Sequence, residues 1–195
     1  MHILYLVLGG GQQGVEKIEE YKLLDFGAGS GLLVRILRDI GIDAYFYDEY
    51  CKNIFARGFE WEKDKKPKLI TSFEVFEHLE NPKETIFNML DISPNILFST
   101  ELLPNPTPKK WWYYGFNHGQ HISFYTKESL YFLAKERQLN LYSINNIHLI
   151  SEEKINLILL KMIIKFANRG LFSYVKTKLK SKTMQDHEML LESKN

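Results

Sequence analysis

"LLDFGAGSG", residues 23–31, decides how this 195-residue chain is read. A short apolar run meets one acid, Asp25, and then Gly27, Gly29 and Gly31 alternate with small residues. Glycine tolerates the left-handed backbone of a tight turn and lets a ligand come close to the main chain. Such a turn suits a phosphate, a dinucleotide or a sulfonium nucleoside. The dinucleotide fingerprint G-x-G-x-x-G needs a third glycine where helix and strand pack, and Leu32 stands there. The phosphate-loop pattern G-x-x-x-x-G-K-[ST] is absent.

The flanks supply the elements. "KLLDF" (22–26) reads as a strand. "LLVRILRDI" (32–40) has apolar residues at 32, 33, 36, 37 and 40, the spacing of a helix, and Gly41 ends it. "AYFY" (44–47) is a second strand that delivers Asp48. Strand, turn, helix and strand in this order predict a parallel sheet with right-handed crossovers. The helix N-terminus favours a carboxylate. Asp25 puts negative charge where a ligand ammonium would sit, and Asp48 is placed to accept from ribose hydroxyls. Charge-assisted bonds of this kind contribute about 1.5–3 kcal/mol each. The methionine end and the ribose of S-adenosylmethionine ask for these groups.

Further along, 51–59 reads as helical and 62–68 as a charged turn. "LITSF" (69–73) is a strand followed by "EVFEHLENP", and Pro82 opens a helix. "NILFST" (95–100) is another buried strand, and the prolines of "PNPTPKK" (104–110) enforce a loop. "WWYYGFNHGQHISFY" (111–125) is rich in aromatic rings. Thr126 caps a helix to about Arg137, with Ser129 in place of the usual Glu or Gln. Residues 139–150 form the last strand or hairpin. Before the first strand, Gln12–Glu20 reads as a short helix. "MHILYLVLGGG" reads as a buried helix or strand start, since it lacks the basic start and cleavage site of a signal peptide.

Taken in order, "LLDFGAGSG", "AYFYD", "KLITSFEVFEHLENP", "NILFST" and "GQHISFYTKESLYFLAKERQLNL" resemble a class I S-adenosylmethionine-dependent methyltransferase. The resemblance is closest to the branch with E-V-x-E-H after the fourth strand, which includes ubiquinone-pathway O-methyltransferases and glycan-associated methyltransferases. It implies a Rossmann-like α/β sandwich. The mostly parallel seven-stranded sheet would have the order 3-2-1-4-5-7-6, its last strand antiparallel, with helices on both faces. It also implies methyl transfer from S-adenosylmethionine to a small-molecule acceptor, such as a glycan precursor or quinone-like compound, most simply at a hydroxyl oxygen. The alternative is a catalytically weak, methyltransferase-like binding or regulatory domain.

On this resemblance the cofactor-binding set is Asp25, Gly27, Ala28, Gly29, Gly31, Asp48, Glu49, Phe73 and Glu74. Glu77, His78 and His121 are the catalytic candidates. Trp111, Trp112, Tyr113, Tyr114 and His118 are the acceptor-binding candidates. Only 20 residues separate Asp48 from Leu69, so the third strand and its adenine-contacting acid are shrunken or missing. Phe59, Glu60 and Trp61 are the nearest substitutes.

Glu74, Glu77 and His78 stand at i, i+3 and i+4 and share one face if helical. With His118 and His121 they form a donor set for a divalent cation such as Mg²⁺, which would lower the pKa of an acceptor hydroxyl. Two other readings stay open: His78 as a metal-free base, or Glu74 on the cofactor with His78 anchoring the loop.

Residues 1–150 make up the expected methyltransferase domain and 151–195 an amphipathic basic tail. In the tail, Ile155, Ile158, Leu159, Met162 and Phe166 share a face, and Lys154, Lys161, Lys165 and Asn168 another. From Lys161 to Lys182 there are seven Lys or Arg and no acid. Such a helix lies on an anionic membrane surface, or packs on the sheet or a second subunit. A net charge of +1 gives no global push toward nucleic acid or membranes. The single cysteine, Cys51, fits a reducing, cytoplasmic setting, and no apolar run reaches transmembrane length.

Overall fold

The computed structural model describes residues 22–166, 177 and 179–192. The expected helix at 12–20 and the opening apolar run lie outside them. The chain divides into two compact units, the second being 70–154, and the described part of the tail groups with the first.

In the first unit, β1 (Lys22–Phe26) and β2 (Asp43–Tyr47) pair in parallel, Lys22 opposite Asp43 and Phe26 opposite Tyr47. Helix α1 (Leu32–Asp39) connects them. Gly41, at φ 99°, ends it as expected, its N–H bonding the Arg38 carbonyl at 3.0 Å. Val34, Leu37 and Arg38 form its buried face, whereas Leu32 and Ile36 are exposed. A buried arginine on a core face is the departure from the apolar spacing. Arg38 donates through Nε and Nη2 to Asp186, and through Nη1 to Asp43 and the Ala44 carbonyl, with its guanidinium 3.7 Å above the Phe59 ring.

The helix expected over 51–59 does not form. Asp48 and Asn53 take over the local backbone donors instead: Asp48 accepts from Tyr50 and Cys51, and Asn53 from Ala56. Short polar side chains compete with helix in this way. Where the third strand of the expected order would run there is a single parallel bridge, Phe46 to Glu60. It is closed by Phe46 N–H to the Phe59 carbonyl and Trp61 N–H to the Phe46 carbonyl, both 2.8 Å. The described residues thus hold six strands, not seven.

In the second unit, β3 (Leu69–Ser72) and β4 (Ile96–Ser99) are parallel and buried along their whole length. Between them runs α2 (Pro82–Ile92), with proline at its start as the sequence predicts. After the long loop comes α3 (Lys127–Glu136). Thr126 and Ser129 complete a reciprocal capping box at its start, so serine does serve where Glu or Gln is usual. The last segment is a hairpin, β5 (Asn140–Ile144) and β6 (Ile147–Ser151), turned by Asn145 at φ 54° and Asn146. β6 lies antiparallel between β4 and β5, giving the neighbour order β3-β4-β6-β5.

Within the tail are α4 (Leu157–Phe166) and α5 (Thr183–Glu192). Asp186 on α5 is the partner of Arg38, both side chains nearly fully buried. No helix of the described residues is long and apolar enough to cross a membrane.

Candidate functional site

The glycine turn in the first unit is built from main-chain donors. Gly27, Gly29 and Gly31 all have positive φ, at 75°, 58° and 84°. Gly27 and Ala28 N–H both donate to the Tyr47 carbonyl, at 2.9 and 3.2 Å. Gly29 N–H donates to Asp48 Oδ2 at 2.8 Å. A Cβ on Gly31 would stand 2.7 Å from Asn53 Oδ1, so that glycine is needed for packing. A Cβ on Gly29 would meet nothing within 4 Å. Gly29 therefore presents bare main chain to open space, as a cofactor cradle requires.

Asp25 is buried beneath the turn, Ala28 and Asp48 are half-buried, and Glu49 is exposed. Asp48 Oδ1 accepts from the Tyr50 and Cys51 N–H groups at 2.9 and 2.7 Å. With Gly29 that fills three of its roughly four acceptor positions and leaves one for a ligand hydroxyl. Phe59 is core under Arg38. Glu60 is spent on Asn53 and on the Gly58 N–H, and Trp61 donates its indole N–H to the Lys65 carbonyl while its ring meets Tyr47 edge-on.

The second unit holds the E-V-x-E-H segment. It is not a helix carrying all three polar residues on one face. Only Phe76–His78 form a single 3-10 turn. Glu74 lies before it at φ 55°, its N–H donating to Ser99 Oγ at 2.9 Å while Ser99 Oγ donates to Glu74 Oε1 at 2.5 Å. That exchange turns Glu74 away from the i, i+3, i+4 register. Phe73 is half-buried beside it.

Glu77, His78 and His121 do come together. One ligand atom from each lies within 4.8 Å of the other two. The loop that brings His121 is stitched to the turn: Ile122 and Ser123 N–H donate to the Glu77 carbonyl at 2.8 and 3.0 Å, and Tyr125 OH donates to the Phe76 carbonyl at 2.8 Å. His118 stays outside the trio. Its ring lies edge-on to His121 at 5.1 Å and packs against Gly115.

Two features define this cluster electrostatically. Glu77 is fully buried, and neither carboxylate oxygen has a partner at good hydrogen-bond geometry; the Tyr113 hydroxyl interacts with it only weakly. Burial pushes its carboxyl above the usual range. His78 Nδ1 lies 2.8 Å from the Gln120 carbonyl, and His121 Nδ1 lies 2.6 Å from the Tyr113 carbonyl. A carbonyl oxygen only accepts, so each Nδ1 carries a proton, and the tautomer this selects has its lone pair on Nε2. A buried acid without a well-formed hydrogen bond, beside two imidazoles that each offer Nε2, fits a cation or a proton-sharing acceptor.

The aromatic loop divides in two. Tyr113 is buried, with its OH 3.3 Å from Thr100 Oγ1, and burial raises its pKa. Trp111, Tyr114 and Phe124 are half-buried and ring against one another. Trp112 and Phe116 are exposed at 75% and 77%. Sequence reasoning missed Ser99, Asn53 and the Tyr47 carbonyl, and no motif marks them.

The model of a family described as "Methyltransferase domain" matches residues 12–144. No curated protein sequence matches. Among solved structures, an O-methyltransferase family protein from Burkholderia thailandensis is similar at 12% identity and TM-score 0.48, over 73% of this chain and 57% of that one. Human N-acetylserotonin methyltransferase in complex with SAM is similar at 12% identity and TM-score 0.45, over 72% and 52%. Magnesium protoporphyrin IX methyltransferase from Synechocystis with bound SAH is similar at 13% and 0.42, over 71% and 81%. The chain thus spans little more than half the length of the first two. With the family's model running from before the glycine turn to the end of β5, this chain belongs to the methyltransferase-domain family.

Proposed function

We propose that this protein transfers the methyl group of S-adenosylmethionine to a hydroxyl oxygen of a small-molecule acceptor. The observation that carries the reading is Glu77, a fully buried carboxylate with no well-formed hydrogen bond, set beside His78 and His121. Family membership supports the methyl donor, and the open main chain at Gly29 beside Asp48 supports where it binds. S-adenosylmethionine supplies a methyl group already activated by its sulfonium.

Each part of the chain has a separable task. The glycine turn takes the methionine end, with the α1 N-terminus favouring its carboxylate. Asp48 accepts one ribose hydroxyl. Tyr113, Trp111 and Tyr114 wall the acceptor side and exclude water. Glu77, His78 and His121 would hold a divalent cation such as Mg²⁺, which when bound would lower the pKa of the acceptor hydroxyl. Positioning a ready nucleophile accounts for most of the remaining rate, since the leaving group needs no proton.

A second reading has a specific basis: His78 is exposed with its Nε2 lone pair free, so it is able to take the acceptor proton directly. One titration separates the two. Calorimetry with S-adenosylmethionine is expected to show binding, and Mg²⁺ is expected to raise the melting temperature of the wild type but not of Glu77→Gln. Binding without any Mg²⁺ response, and turnover unchanged by EDTA, favours the histidine base. No binding of S-adenosylmethionine at submillimolar concentration removes the enzyme reading.

A further inference from the structure

Helix α4 carries an apolar face that stays exposed among the described residues. Only Leu160 is buried. Ile158, Met162 and Phe166, at i, i+4 and i+8, form one ridge and are 71%, 49% and 41% exposed; Leu159 beside them is 42% exposed. Leu160 lies on the opposite side of the helix, where it faces protein. Lys161 and Lys165 flank the ridge and are also exposed. An exposed apolar ridge bordered by lysines is unusual on a soluble helix, which keeps its apolar stripe inward.

We infer that α4 docks this protein on an anionic lipid surface. The argument is charge complementarity joined to the apolar ridge. From Lys161 to Lys182 the sequence places seven cations and no acid, and the next acid, Asp186, is consumed by Arg38. A helix lying in the headgroup plane buries its apolar face among acyl chains while its lysines meet lipid phosphates. A second copy of the chain fits less well, because an isologous contact would bring Lys161 and Lys165 toward their own mates. A nucleic acid would reward the cations but leave the ridge in water. The inference is independent of the methyl-transfer reading.

The experiment is vesicle flotation of the full chain, without methyl donor, on phosphatidylcholine vesicles and on phosphatidylcholine mixed with phosphatidylglycerol. The expected result is binding to the mixed vesicles only, weakened by salt. Lys161→Glu and Lys165→Glu are each expected to weaken it by about fivefold or more. The pair Ile158→Glu and Met162→Glu is expected to abolish it, while circular dichroism and S-adenosylmethionine affinity stay at wild-type values. No binding to the mixed vesicles overturns the inference. So does binding that survives the Ile158 and Met162 changes, or a wild-type dimer in sedimentation that those changes dissociate.

Discussion

Replacing Glu77 with glutamine keeps the side chain's shape and removes its charge, which isolates what that charge does between His78 and His121. The expected outcome is a loss of methyl transfer of about 10²–10⁴-fold, the range of a positioned acid–base or charge-stabilising group. S-adenosylmethionine affinity is expected to stay unchanged, because the donor site proposed at the glycine turn and Asp48 does not include Glu77. Full turnover in Glu77→Gln, measured by methyl incorporation, would remove the cluster from the mechanism. The residue types and their spacing made Glu77, His78 and His121 legible in the sequence. That Glu74 leaves the group was not legible, because it depends on Ser99, which sits on a distant strand and meets Glu74 through space.

At the scale of elements, β6 carries a buried titrating group. His148 Nε2 faces the Thr100 carbonyl at 3.0 Å and its Nδ1 faces Ser143 Oγ at 2.8 Å. Burial lowers its pKa below the ordinary 6.5. The folded state then binds fewer protons than the unfolded one between pH 6.5 and the lowered value. Stability from this group is therefore complete above pH 6.5 and is lost as pH falls through that window. The loss is about 1.4 kcal/mol for each pKa unit of depression. Urea unfolding across this range should show a shallower acid decline in His148→Gln than in the wild type; equal slopes would show that His148 does not carry the effect. At this scale the sequence was informative where the local code is strong: Gly41 ending α1, Pro82 opening α2 and the Thr126–Ser129 cap. It misled over 51–59, where helical-looking residues lose their backbone donors to Asp48 and Asn53.

At the scale of the whole molecule, the tail's α5 is held on α1 within the first unit chiefly by the buried Arg38–Asp186 pair, with Arg35 3.8 Å from Asp186 and Thr183 Oγ1 donating to Asp39 Oδ1. Arg38 on α1 and Asp186 on α5 meet through two hydrogen bonds 148 positions apart in sequence. Asp186→Asn keeps one acceptor oxygen but removes the charge opposite the buried guanidinium and sets an amide NH₂ against one of its N–H groups, and is expected to cost about 3–5 kcal/mol in chemical denaturation. A change within about 0.5 kcal/mol, the range of an ordinary surface substitution, would show that the strap is not held there. The sequence by itself determined the parallel start of the sheet, the positive-φ glycine turn and the family's ordered motifs. Each of these rests on local physics: apolar periodicity, glycine's positive φ, and capping. Only the tertiary structure decided that Arg38 is core, that a single bridge stands where a third strand was expected, and that Glu77 is a buried carboxylate with no well-formed hydrogen bond. Those outcomes turn on which distant donors reach a buried group, and desolvation makes that choice decisive.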